Sequence, residues 1–393
     1  MIHTTQALEL ALGELRWKNV KGANSGLNLW VPTEGSELIQ GLKNIDDLGV
    51  FVPLNEDAPD YGRNVQYAVA ELSRVVPISL EKLLDEAQLR LDQKLDKVFI
   101  HFEDDSTGAG AVNLAKGIDL FSGLKTLLST GARFSRDQRA RYSSSGNVIA
   151  NNFLESCLLG QTEVGSFIAS ALIPASKNIK ATNNKTKKAH METTGREITK
   201  SMVAALQGTR EVLDEYLESP KNEVFEFGIS NGVSYEMLEG VEQIVGTKES
   251  EISFEFLPLP SDEGEPFHVT PIVFSPEHKR AARKGKEVLS KAPQELHVAV
   301  AGEVIELRRT LEDTTSSRIR IRGDIQGKIR TLGASLSASD YEKASRAHID
   351  KRQLFIKGTV KQGVFTEVEL VTETNDPVAE ERLSSAEASF TLF

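Results

Sequence analysis

The chain has 393 residues, of which 39% are hydrophobic and 26% charged. That is ordinary for a water-soluble globular protein and long enough for two or three domains. No apolar run approaches the roughly 18 residues that a membrane-spanning helix needs. The net charge of −11 argues against a whole-surface polyanion binder, but not against a local basic patch. The single cysteine, Cys157, cannot close an intramolecular disulfide. The opening residues lack the basic and apolar regions of a secretory signal. The expected location is therefore the cytoplasm, with no membrane partner.

In chain order, residues to about 130 read as mostly helical. Asp60–Val75 and Ser79–Leu95 carry apolar residues at i, i+3, i+4, i+7 spacing, and Pro77 separates them. Lys97–Phe102 alternates like a strand, Ile118–Leu128 reads as a helix ended by Gly131, and Arg133–Gly146 reads as a polar linker. Asn152–Leu159 is expected to be helical and capped at Gly160. Phe167–Ile173 reads as a strand, and the Lys- and Asn-rich stretch from Pro174 to His190 as a loop. Thr194–Leu217 reads as a long helix, Val224–Gly228 as a short strand, and Ser230-Asn231 as caps of a helix through Val245. Two strands, Glu251–Leu257 and Phe267–Phe274, then precede a basic helix, Pro276–Lys291.

The last hundred residues hold the clearest pattern. His297–Thr310, Ser317–Asp324 and Lys328–Ser335 read as strands, Ser339–Asp350 as a helix, and Gln353–Lys361 and Phe365–Thr372 as strands. That β-β-β-α-β-β order is the order of the five-stranded Greek-key barrel known as the OB-fold. The expected class is α+β, with a helical N-terminal region (1–132), a central α+β domain (147–292), a C-terminal OB-like β-barrel (295–373) and an acidic tail (374–393).

Alternation along Ser317–Asp324 sends Ile319 and Ile321 into the barrel and Arg318, Arg320 and Arg322 onto one outer line. On the next strand Ile329 is expected inside, with Lys328 and Arg330 outside. With Lys357 and a stacking Phe355, these cations make a candidate single-stranded nucleic-acid surface, combining phosphate neutralisation with base stacking. The plainer alternative is a solvated face, with Glu303, Glu306, Glu367 and Glu369 pairing across the strands. Arg280, Arg283 and Lys284 share one face of the preceding helix and would extend the patch if they adjoined it.

Elsewhere the most motif-like string is Gly160–Ser166, GQTEVGS. Gln161, Thr162, Glu163 and Ser166 are candidate ligand-binding residues, with the glycines permitting close backbone approach. The favoured reading of the string is plainer, a helix C-cap at Gly160 and a turn at Gly165, and P-loop spacing is absent. Thr107–Gly110 lacks the third glycine of a dinucleotide fingerprint. His101, Glu103, Asp104 and Asp105 lack metal-ligand spacing, and Cys157 has no sequence-near base. No catalytic residue, metal ligand or cofactor is assigned.

The strings 52–62 (VPLNEDAPDYG), 158–167 (LLGQTEVGSF), 230–238 (SNGVSYEML) and 343–363 (KASRAHIDKRQLFIKGTVKQG) resemble a family of uncharacterised bacterial proteins of about this length. The resemblance implies a bacterial defence or DNA-processing setting, with partner proteins from the same operon. It transfers no activity and no catalytic residue. The expected function is a non-enzymatic binding or assembly subunit whose barrel contacts single-stranded DNA or RNA, or a partner protein. The alternatives are an enzyme of unrecognised type with a pocket at GQTEVGS, and a structural scaffold whose barrel packs on the central domain.

Overall fold

The computed structural model describes residues 4–20, 26–34, 36, 38, 48–76, 79–105, 111–143, 145–160, 167–181, 192–258, 267–291, 295–308, 317–325 and 327–373. The chain is α+β, and its buried apolar side chains form three separate clusters.

The first cluster spans Ala7 to Ala87. Helix α1 (Thr5–Glu14) leads into an antiparallel sheet of β1 (Trp17–Val20), β2 (Leu27–Pro32) and β3 (Val50–Pro53), followed by α2 (Tyr61–Val75) and α3 (Leu80–Gln93). Along α2, Tyr61, Val65, Ala68, Leu72 and Val75 make the buried stripe, as their spacing predicts. The three short strands went unforeseen. The inner face of their sheet buries Trp17, Val50 and Val52. Its outer face carries exposed Val20, Leu27 and Phe51, with Leu54 just beyond β3.

The second cluster runs from Val98 to Leu289. Strand β4 (Leu95–Phe102) and helix α4 (Leu114–Phe134) belong to it, so the change of core falls near residue 94 and not at 132. Helix α5 (Asn147–Leu154), β5 (Leu158–Leu159), β6 (Phe167–Pro174), β7 (Asn178–Lys180) and β8 (Glu192–Thr194) follow. Next come α6 (Gly195–Glu218), α7 (Glu223–Phe227), a 3-10 turn (Gly228–Asn231) and α8 (Tyr235–Ile244). Strands β9 (Ser250–Phe256), β10 (Phe267–His268) and β11 (Ile272–Phe274) and helix α9 (Pro276–Leu289) complete the unit. The sheet order is β10-β9-β4-β6-β5, antiparallel throughout, with β11 also on β9. Val98, Ile100 and Phe102 face the helical layer, in which α4 packs on α6 and α8.

Several local expectations change. Helix α4 runs through Gly131 to Phe134, β7 lies within the stretch read as a loop, and the strand read over Phe267–Phe274 is two, β10 and β11. Arg133–Gly146 is not a loose linker: Tyr142 N and Ser143 N donate to Glu236, Tyr235 N donates to Ala140 O, and Arg133 bonds Asn147. The Val224–Gly228 run is helix and turn, because its alternation is too short to settle the period. Ser234, three residues on from the expected caps, is the N-cap of α8 and accepts from Met237 N. Gly160 caps no helix, since α5 ends at Leu154; its N–H instead donates to Ser170 O beside β6.

The 3-10 turn presses against α6 where Gly208 and Gly232 meet it. A Cβ at Gly208 would strike the backbone carbonyl of Asn231, and Gly232 has φ +111°. Gly208→Ala is expected to destabilise the protein by about 1–3 kcal/mol in urea unfolding, because the clash is with backbone that cannot rotate away. An unchanged midpoint would show that the turn can shift.

The third cluster is the barrel, with β12 (Leu296–Arg308), β13 (Ser317–Ile325), β14 (Lys328–Leu336), α10 (Ala338–Ile349), β15 (Gln353–Lys361) and β16 (Val364–Glu373). It closes in the order β12-β13-β14-β16-β15, with β14 and β16 parallel. This is the predicted OB-like connectivity. Helix α10 contacts all five strands and puts Tyr341, Ala344 and Ala347 into the core. His348 bonds Val304 O and ties the end of the helix to β12. Phe227, from α7 of the central unit, also belongs to the barrel core.

Candidate interaction face of the barrel

Strand β13 alternates as expected: Ile319, Ile321 and Ile325 are buried, and Arg318 and Arg322 are exposed. Strand β14 does not. The tight turn pairs Ile325 with Lys328 and Ile321 with Leu332, which places Leu332, Ala334 and Leu336 in the core. Ile329 therefore points outward, 61% exposed, and Arg330 shares the inward side. A register shift of one residue inverts every side chain of a strand, and the sequence alternation did not fix this one.

Arg330 is 6% exposed. It pairs with Glu215 of α6, and its guanidinium lies 4.7 Å from the ring centroid of Phe227. Lys328 reaches Glu218 of the same helix at 3.3 Å. Arg320 donates to Ser230 O in the 3-10 turn at 2.6 Å and lies 3.7 Å from Glu306. Ser230 Oγ in turn donates to Thr331 O. The turn thus sits across the middle of the arginine line, and only Arg318 and Arg322, on either side of it, lack a side-chain partner among the described residues. Burial lowers the pKa of Arg320, with Glu306 opposing that effect.

The remaining predicted residues do not complete a nucleic-acid groove. Phe355 is 1% exposed and cannot stack a base. Lys357 lies 3.7 Å from Glu369. Of the expected cross-strand pairs, Arg320–Glu306 forms; Glu303 stands opposite Arg322 with no ion pair between them among the described residues. The basic face of α9 turns elsewhere: Arg283 and Lys286 pair with Glu242 of α8, while Arg280 and Lys284 pair with Glu277 and Glu287 on their own helix.

Gln161, Thr162, Glu163 and Ser166 lie outside the described residues, as do Lys185, Lys187 and Lys188. Asp104 pairs with Lys116 and accepts from Thr247 N. Among the described residues no group of three or more His, Cys, Asp or Glu side chains could hold a metal ion. Cys157 donates to Phe153 O, and burial pushes its thiol up to about 12, which keeps it protonated.

One constellation escaped the sequence reading. Ser275 Oγ lies 2.9 Å from His278 Nδ1, and His278 Nε2 lies 2.9 Å from Asp214 Oδ1. The order of groups is that of a nucleophilic triad, but the hydrogen bonds are those of a helix cap. Nδ1 accepts the backbone N–H of Ser275 at 2.8 Å, so its lone pair is not available to take up a hydroxyl proton. Ser275 in turn caps α9 through the His278 backbone. The trio fastens α9 to α6. Its legible signal was Ser-Pro-Glu-His, a cap residue, proline at N1 and a side chain at N3 able to reach back.

No known protein family, curated protein or solved structure matches the chain. Among the described residues, no helix is long and apolar enough to cross a membrane.

Proposed function

We infer that the chain is a binding and assembly subunit in which the barrel is a fixed part of the body and not a free single-strand-binding module. The observation that carries this reading is the position of the 3-10 turn. In an OB-fold the face around strands two and three receives the ligand. Here that face meets the chain's own central unit through Arg320–Ser230, while Arg330–Glu215 and Phe227 fasten the barrel to that unit from its inward side. The exposed apolar residues Val20, Leu27 and Phe51 on the N-terminal sheet support an assembly role, because apolar surface of this kind is what protein contacts bury.

A second reading keeps a polyanion contact at the rim. Arg308 stands directly opposite Arg318 across β12 and β13, and although Glu306 lies 3.2 Å from Arg308, a bound phosphate would relieve what remains of the like-charge pairing. Fluorescence anisotropy with labelled single-stranded DNA and RNA, at low and moderate salt, separates the two. The assembly reading expects no salt-sensitive binding that an Arg318→Glu/Arg322→Glu variant abolishes. Tight binding with a steep salt dependence, lost in that variant, would overturn it.

A further inference from the structure

The N-terminal unit meets the central sheet through a buried cluster of charges. Glu14 comes from α1, Glu86 and Arg90 from α3, Lys97 from β4 and Glu255 from β9. None of these side chains is more than 11% exposed, and Arg90 is at 0%. Arg90 pairs with Glu14 and, at 2.7 Å, with Glu255; its Nε–H donates to Leu95 O at 3.3 Å. Lys97 pairs with Glu86 at 2.7 Å and lies 3.5 Å from Glu14.

Three carboxylates therefore face two cations. The neighbouring Asp96 supplies no relief, since it is matched by its own cation: Arg196 grips it at 2.6 and 2.7 Å, and Leu257 N donates to it at 2.9 Å. Among the described residues, one carboxyl group in the joint is left without a counter-charge in a place where water does not reach. A buried carboxylate in that position takes up a proton in preference to staying ionised. Glu255 is the one at the sheet, bonded to a guanidinium that it shares with Glu14.

We propose that this joint is a proton-dependent clasp, closed while Glu255 is protonated and loosened when Glu255 is ionised. Burial, followed by the charge of Glu14, pushes the Glu255 carboxyl up to about 7. For Glu14, burial alone would also raise the pKa, but Lys97 and Arg90 outweigh it and hold that carboxyl below its ordinary value, so it stays ionised throughout. Glu255 thus retains its proton in the closed state at pH values where an opened joint releases it. A carboxyl raised in this direction favours the closed state at low pH, and the advantage disappears as pH rises through about 7. With the ordinary value at 4.5, going from about pH 6 to about pH 8 should raise the opening equilibrium about tenfold.

Hydrogen exchange of the full chain, corrected for intrinsic rates, tests this with Glu255→Gln beside the wild type. The expected result is a wild-type opening constant for α1 and α3 amides that rises about tenfold between those two pH values. The amides inside α6 should not follow, and the Gln variant should be flat. A pH-independent wild type, or a variant that keeps the shift, would overturn the proposal. If the variant does not fold, carbon-13 carboxyl titration of glutamate-labelled wild type decides. One carboxyl titrating near neutrality supports the clasp, and every carboxyl titrating in the ordinary range ends it.

Discussion

Phe227→Ala is expected to lower the unfolding free energy by about 3–5 kcal/mol, the range for removing a buried aromatic side chain. Phe227 is 2% exposed and belongs to the barrel core, although it is carried by α7 of the central unit. Truncating it empties a place in the barrel core that a helix of the central unit fills, and removes the ring beneath Arg330. The loss should therefore show as separation as well as destabilisation. Calorimetry should split one transition into two, and limited proteolysis should release a fragment cut between α9 and β12. A single transition with a drop below about 1 kcal/mol would mean that the barrel does not depend on this contact.

Arg90→Ala is expected to cost about 3–5 kcal/mol near neutral pH, because removing one partner of a buried ion pair leaves the others uncompensated. Glu14 and Glu255 would then share a dry joint with Lys97 as the one nearby cation among the described residues. The deficit should shrink on acidification, since protonating the orphaned carboxyls removes the repulsion. Urea unfolding at about pH 5 and about pH 8 reads the difference. An equal loss at both values would assign the effect to packing of the arginine side chain and not to its charge.

Both sites show where the sequence was readable and where it was not. The barrel order was legible because five strands of period two and one helix of period 3.6 follow each other with short turns, so local pattern and topology agree. The inward set of β13 followed from Ile319, Ile321 and their arginine neighbours. The inward set of β14 did not, because Lys-Ile-Arg-Thr-Leu offers an apolar residue at both parities and the tight turn decides between them. Phe227 was hidden for a related reason: Val-Phe-Glu-Phe reads as a strand until tertiary contacts make it a helix that plugs the barrel. Arg330 looked like a surface cation because nothing local announces Glu215, more than a hundred residues earlier. The charges at Glu14, Arg90, Lys97 and Glu255 are likewise long-range, and on their own helices and strands they resemble ordinary solvated residues.

The docked barrel is most directly tested by a double-mutant cycle on Arg330→Ala and Glu215→Ala, read by urea unfolding of the full chain. Side-chain exposures of 7% and 16% place this pair inside a joint. The expected coupling is about 1–3 kcal/mol, as for contacting residues in one buried network. Single-mutant effects that add to within about 0.5 kcal/mol would show that the two side chains do not meet in solution and that the barrel is not fastened to α6 at this joint.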